Sequence, residues 1–210
     1  MNLPDHLFGF QAADAVSLLV QPRRLLLLPQ GAGKSVITIA AAEAANAYTV
    51  VVVCPAIVRA DWIAKVKKFG RENWGFGDET RGRVFIVVSY EQINTPERRA
   101  RLLAQVHGRI DVLVLDEGQR LKNPNARIVQ SVYGVHANGT GLVAISRAVW
   151  VLSGTIVRNH WGELYTHVRA LFPERLLKIG GQPMRYQDFL NRYCLWESRP
   201  RGGVRVLGNQ

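Results

Sequence analysis

Apolar residues gather in five short runs: RRLLLLP (residues 23–29), TVVVVCP (49–55), RVFIVVS (83–89), IDVLVLD (110–116) and AVWVLSG (148–154). Within each run hydrophobic side chains follow one another instead of alternating with polar ones. A strand with one wet face alternates, whereas a strand covered on both faces does not, so these runs predict the strands of a buried sheet. Helical spacing fills the intervals, at residues 7–19, 35–46, 59–69, 95–106, 125–135 and 161–171. Pro96 falls in a first helical turn, where its missing N–H costs nothing. Strand, turn and helix recur as the crossover of a parallel sheet requires, which predicts an α/β fold, doubly wound around a mainly parallel sheet.

Two stretches break the pattern as surface loops: residues 70–82, rich in glycine and charge, and 137–146, which carry NGTG. The rhythm ends at Pro173. Residues 1–173 therefore read as one lobe, and residues 174–210 as a basic extension that begins some further part.

Composition narrows the class. The chain has 210 residues, 48% hydrophobic and 20% charged, enough for one buried domain and too few for two nucleotide-binding lobes. Its 27 Lys+Arg against 16 Asp+Glu give a net charge of +11, a field that attracts polyanions and makes nucleic acid the leading partner. The two cysteines, Cys54 and Cys194, form no CxxC pair, so neither a disulfide framework nor a zinc site is expected. The apolar runs are far shorter than the roughly 20 residues that span a bilayer. The opening MNLPDH lacks a signal-peptide pattern, so the expectation is an intracellular protein with no membrane partner.

Chemistry concentrates after two of the strands. The first runs into Gln30-Gly31-Ala32-Gly33-Lys34-Ser35 and then into the helical VITIAAAEAA, the strand–loop–helix setting of a phosphate-binding loop. Small residues let backbone N–H groups wrap phosphates, Lys34 supplies charge, Ser35 supplies a metal-ligating hydroxyl, and the helix N-terminus adds its dipole. The strand IDVLVLD delivers Asp116 and Glu117 at its carboxyl end, where ligands sit in open parallel sheets. Asp116 suits a role in holding Mg2+, and Glu117 suits activation of the attacking water.

Taken in order, LFGFQ, GAGKS, VVVCPAIVRADWIAKVKKF, FIVVSYEQI, VLVLDEGQRLKNPNAR and VWVLSGTIVRNHWGELYTHVRALFPE resemble the Swi/Snf-type DNA-dependent ATPases of the DEAD/DEAH-box helicase superfamily. The resemblance covers nearly the whole chain. It implies the N-terminal RecA-like P-loop lobe of an ATP hydrolase that uses ATP with Mg2+ and moves on duplex DNA, gripping the backbone without sequence preference. It also implies a second RecA-like lobe, in cis or in trans, whose arginines complete the ATP site, so that this chain alone is nearly inactive. By the same resemblance Gln11 contacts adenine, and Gln30, Gly31, Ala32, Gly33, Lys34 and Ser35 hold phosphates and metal. Asp116 and Glu117 fill the catalytic acidic positions, with Gln119 where the family usually has histidine. Ser153 and Thr155 couple hydrolysis to movement. Pro55, Ala56, Arg59, Ser89, Tyr90, Lys122, Asn123, Arg158 and Asn159 fall in segments placed on the DNA, while Trp62 reads as a packing residue.

Three departures stand out: Leu28-Pro29 where the loop consensus starts with glycine, DEGQ in the acidic box, and Ile156 in place of a usual proline. The alternative function is a non-catalytic module that binds DNA and ATP without turnover.

Overall fold

The computed structural model describes residues 3–70, 74–76, 82–134, 141–198 and 204–209. Six parallel strands form one sheet: β1 (Arg23–Leu27), β2 (Thr49–Cys54), β3 (Trp74–Phe76), β4 (Arg83–Ser89), β5 (Ile110–Asp116) and β6 (Ser146–Ser153). Their spatial order is β1-β6-β5-β2-β4-β3. All five strands expected from the apolar runs are present.

The uninterrupted runs pack on both faces of the sheet. Along β2, Val50 and Val52 point into one cluster with Val112, Val114, Trp150 and Leu152, while Val51 and Val53 point into the other with Leu113, Leu115, Val149 and Val151. Helices α1 (Gly9–Val20), α2 (Lys34–Ala44) and α3 (Arg59–Phe69) close the first face through Leu18, Ile37 and Trp62. Helices α4 (Pro96–Gln105), α5 (Arg127–Tyr133) and α6 (Tyr165–Leu171) close the second through Leu102, Val129 and Leu171. Full burial of each such valine contributes roughly 2 kcal/mol. The polar residue inside the fifth run has its own task, since Asp111 Oδ2 accepts from the amides of Tyr48, at 2.8 Å, and Thr49, at 3.1 Å, and so fixes the start of β2.

Chain direction explains the split of helices. From β1 the chain crosses over to β2 and outward to β3 and β4, then returns inward to β5 and β6, and right-handed crossovers taken in opposite directions fall on opposite faces. The return leaves β1, β6 and β5 adjacent, so the segments following these three strands meet along one edge.

Two sequence expectations change. The stretch 70–82 contains β3, three residues long, with Trp74 edge-on to Phe85 at 4.6 Å and its indole donating to Glu43 Oε1 at 3.1 Å. Of the second expected loop, residues 137–140 lie outside the described residues, and Leu142–Ile145 form a 3-10 turn. Beyond Pro173 the chain forms α7 (Tyr186–Tyr193) and an antiparallel hairpin of β7 (Cys194–Ser198) with β8 (Val204–Asn209). Helix α7 packs Phe189 on Tyr165 of α6, whose hydroxyl donates to Met184 O at 3.2 Å.

Gly118 opens a 3-10 turn (Gly118–Leu121) directly after the acidic pair, and a Cβ there would overlap Val151 Cγ1 of β6. Gly118→Ala is expected to cost about 1–3 kcal/mol in urea unfolding by overpacking. Combined with Val151→Ala, the loss should fall below the sum of the two single variants.

Candidate functional site

The loop after β1 follows from its glycines. Gly31 and Gly33 both sit at φ +83°, a left-handed conformation that side chains disfavour. Gly33 has a second reason to lack a side chain, because a Cβ would strike Gln11 Nε2. Leu28 needs no glycine: its backbone continues the β1–β6 ladder, with Leu28 N donating to Ser153 O at 3.1 Å, and its side chain packs on the core. Pro29 has no N–H to donate. Lys34 Nζ lies across the loop, donating to Leu28 O at 2.9 Å and Pro29 O at 3.1 Å. Gln30 and Gly31 are exposed, whereas Ala32, Gly33, Lys34 and Ser35 are half-buried.

Gln11 joins α1 to this loop. Its Nε2 donates to Ala32 O at 3.1 Å, and its Oε1 accepts from Phe8 N, also at 3.1 Å, which caps α1. Phe8 and Phe10 stand exposed beside it with their rings nearly parallel.

On the neighbouring strand end, both oxygens of Asp116 are engaged. Trp62 Nε1 donates to Oδ2 at 2.7 Å, Glu117 N donates to Oδ1 at 3.0 Å, and Tyr90 Oη donates to the Asp116 carbonyl at 2.8 Å. Burial raises the Asp116 pKa, with the nearby Glu117 charge adding to it, while the Trp62 hydrogen bond and Lys34 pull the other way. Lys34 and Asp116 thus feel one another across the site. Glu117 takes a left-handed backbone (φ 53°, ψ 52°) that a glutamate adopts only when its surroundings hold it there. Gln119 Nε2 donates to its carboxylate, and Ser153 Oγ in turn donates to Gln119 Oε1 at 2.6 Å. Thr155 N closes the chain by donating to Ser153 Oγ at 3.1 Å. An amide can do both jobs because it offers an acceptor and a donor at one position.

Ser35 Oγ and the Asp116 carboxylate are the hard oxygen donors that Mg2+ prefers, and a cation that takes most of its ligands from phosphate and water needs few protein groups. The donor chemistry therefore fits Mg2+.

The segments expected on DNA divide by exposure. Ala56, Arg59, Asn123, Thr155, Arg158 and Asn159 are exposed, on the segments that follow β2, β5 and β6. Arg59 spends its Nε on Val87 O at 2.8 Å, leaving its terminal nitrogens. Ser89 and Tyr90, also expected on DNA, are each 4% exposed. Ser89 is the cap of the turn after β4, accepting from Gln92 N at 3.2 Å, and Tyr90 serves Asp116. Pro55 is likewise buried. The ammonium of Lys122, also expected on DNA, is paired with Glu163 Oε1 at 2.6 Å.

A family model for the SNF2-related domain matches residues 25–192, most of the chain. The chain belongs to the SNF2-related domain family. The fold of this SNF2-related domain also matches a solved structure, the Sulfolobus solfataricus SWI2/SNF2 ATPase core in complex with dsDNA, with TM-score 0.68 and 20% identity over 91% of this chain and 40% of that one. The RecA-like α/β expectation is therefore met. A search of curated proteins finds no match.

Two contributors to the site of this SNF2-related domain escaped sequence reading. Trp62 is 1% exposed, as the expected packing role requires, but its indole also holds Asp116. Glu163 gathers the segment after β6: Lys122, Asn159 Nδ2 at 2.7 Å and Arg158 N at 2.8 Å all donate to its carboxylate. A buried acid between two motif segments would be the only sequence signal, and nothing in the sequence distinguishes it from a surface one.

Burial raises the Glu163 pKa, but the hydrogen bonds from Lys122, Arg158 and Asn159 outweigh it and bring the carboxyl down to about 2. A carboxyl depressed on folding contributes stability above its unfolded value near 4.5 and loses it as pH falls towards 2. Stability against urea should therefore fall as pH is lowered across that window. Glu163→Gln should cost on the order of 2–3 kcal/mol at neutral pH and flatten the acid slope.

Proposed function

We propose that this SNF2-related domain is the ATP-binding lobe of a DNA-dependent ATPase and translocase, which hydrolyses ATP and moves on duplex DNA when a second RecA-like lobe completes it. One observation carries the reading: the phosphate-binding loop, the Asp116–Glu117 pair and Ser153 lie on three adjacent strand ends, joined by the Glu117–Gln119–Ser153 hydrogen-bond chain. A pocket that binds nucleotide without turnover has no use for a glutamate held in a strained backbone and oriented from two residues away.

ATP would lie with its adenine towards Gln11 and its phosphates on the amides of residues 30–35. Lys34 would leave the Leu28 and Pro29 carbonyls for the terminal phosphates, exchanging neutral acceptors for charged ones. Bound Mg2+, held by Ser35 and Asp116, would neutralise charge on the transferring phosphoryl group. Glu117 would orient the water and take its proton, a task for which the Gln119 amide fixes the carboxylate. Release of that hold reaches Thr155 and the exposed Arg158–Asn159 segment through Ser153, which gives a route from hydrolysis to the DNA face. DNA would be gripped by phosphate contacts from Arg59, Asn123, Arg158 and Asn159, and such contacts carry no base information.

Lys34→Ala is expected to abolish ATP·Mg binding in calorimetry, and unchanged affinity would remove the loop from the phosphate site. Glu117→Gln should keep nucleotide binding while blocking turnover in the presence of a cognate second lobe. Turnover that survives Glu117→Gln would refute the assigned base.

For DNA, log affinity should fall with log salt by about 0.9 per phosphate neutralised. Arg59→Ala with Arg158→Ala should lower that slope by up to about two charges' worth on any sequence. Arg109 and Arg147 are exposed at the opposite ends of β5 and β6 and provide the control. Equal losses in the two double variants would mean that the net charge of +11 acts only diffusely.

A further inference from the structure

We propose that Trp62 is a positioning residue for Asp116, and that through it the exposed first turn of α3 sets the metal-dependent part of nucleotide affinity. This rests on the nucleotide and DNA assignment above and specifies how the two ligands communicate.

Burial alone does not explain the contact. Trp150 is equally buried, and its indole nitrogen has no hydrogen-bond partner among the described residues, so this core accommodates an unpaired indole N–H. Trp62 instead gives its N–H, at 2.7 Å, to the one carboxylate assigned to the metal. With Glu117 N on the other oxygen, the carboxylate is held from two elements, α3 and the turn after β5, while Tyr90 Oη holds the peptide carbonyl of the same residue from the turn after β4. Tyr90 is itself buried with its ring under the Arg120 guanidinium.

Helix α3 presents three relevant residues on successive turns. Arg59 is at the exposed start, Trp62 is on Asp116, and Lys65 donates to Ser35 Oγ at 3.4 Å while paired with Asp61 at 2.7 Å. One 11-residue helix therefore touches the candidate DNA face and both protein ligands of the metal. Helices move as units, so a shift imposed on Ala56–Arg59 is carried to the Asp116 and Ser35 oxygens together. A contact at the far end of the same rod is a physical link between the sites, and thermodynamic linkage makes the effect reciprocal.

The test compares the full chain with its Trp62→Phe and Tyr90→Phe variants, titrating ADP by calorimetry with and without Mg2+ and with and without a duplex oligonucleotide. In the wild type, Mg2+ should tighten ADP and the duplex should change the Mg·ADP affinity. Trp62→Phe should retain its thermal transition and its affinity for metal-free ADP, lose roughly tenfold of the Mg2+ increment, as expected for a hydrogen bond to a charged group, and bring the effect of DNA close to unity. Tyr90→Phe should show a smaller loss of the same kind, since it removes a donor to the carbonyl and not to the carboxylate. A folded Trp62→Phe chain with the wild-type Mg2+ increment and DNA effect would overturn the proposal.

Should Trp62→Phe fail to fold, the wild type still decides the matter. Among the five indole N–H signals of the 15N-labelled chain, that of Trp62, assigned through its backbone, should move with Mg·ADP and not with metal-free ADP. An unmoved signal under saturating Mg·ADP would refute the link to Asp116. A wild-type chain that binds no nucleotide would instead overturn the functional reading itself, and this inference with it.

Discussion

Ser153 is the residue on which the site depends. At the end of β6, with no exposed surface, it accepts the Leu28 amide on its carbonyl and the Thr155 amide on its hydroxyl, and donates that hydroxyl to Gln119. One side chain and one peptide group thus bind the start of the phosphate loop, the acidic box and the segment leading to Arg158. The position is possible only because β6 lies between β1 and β5, an order produced by the chain's outward and return path. A hydroxyl on a short side chain suits the position, since it must reach both Gln119 and its own downstream amide.

Three non-glycine residues among those described adopt a positive φ, Asn46, His107 and Glu117, and the last of them stands at the site. Gly31 and Gly33 adopt positive φ at little cost because they lack Cβ, whereas Glu117 adopts it at a cost the surrounding packing must cover. That cover is visible. Gly118 has no room for a methyl against Val151, Gln119 holds the Glu117 side chain, and the Glu117 amide is tied to Asp116. The glutamate's direction is therefore set by β5 and β6 and not by its own rotamer preference.

Most of the fold was legible because a strand buried on both faces is written as a continuous run, and all five such runs became strands. The sixth strand, β3, was not, since three residues within a stretch of glycine and charge carry no period. The polar landmarks were legible as motifs, but their partners were not. GAGKS and DEGQ carry the proposed phosphate and metal chemistry in residue type, whereas the Trp62–Asp116 contact joins residues 54 positions apart and leaves no local pattern. Tyr90 and Ser89 show the same limit: resemblance points to DNA, whereas the partners their hydroxyls hold within the chain, the Asp116 carbonyl and the Gln92 amide, carry no sequence signal.

Charge behaves in the same way. A net +11 suggests cations available to a polyanion, but availability depends on what each cation already touches. Lys122 sits in the right segment and is spent on Glu163, whose other hydrogen bonds fix the Arg158 amide and Asn159 side chain. Removing Lys122 would unpair a buried carboxylate and loosen that segment, so a loss of DNA affinity in such a variant would report disorder as readily as a lost phosphate contact. Arg59 and Arg158 are different. Their guanidinium groups are exposed without a carboxylate partner in the hydrogen bonds and ion pairs among the described residues, and a forked donor of that kind forms two hydrogen bonds with one phosphate. The proposed DNA face is thus better defined by which arginines remain uncommitted than by how many basic residues the segments contain.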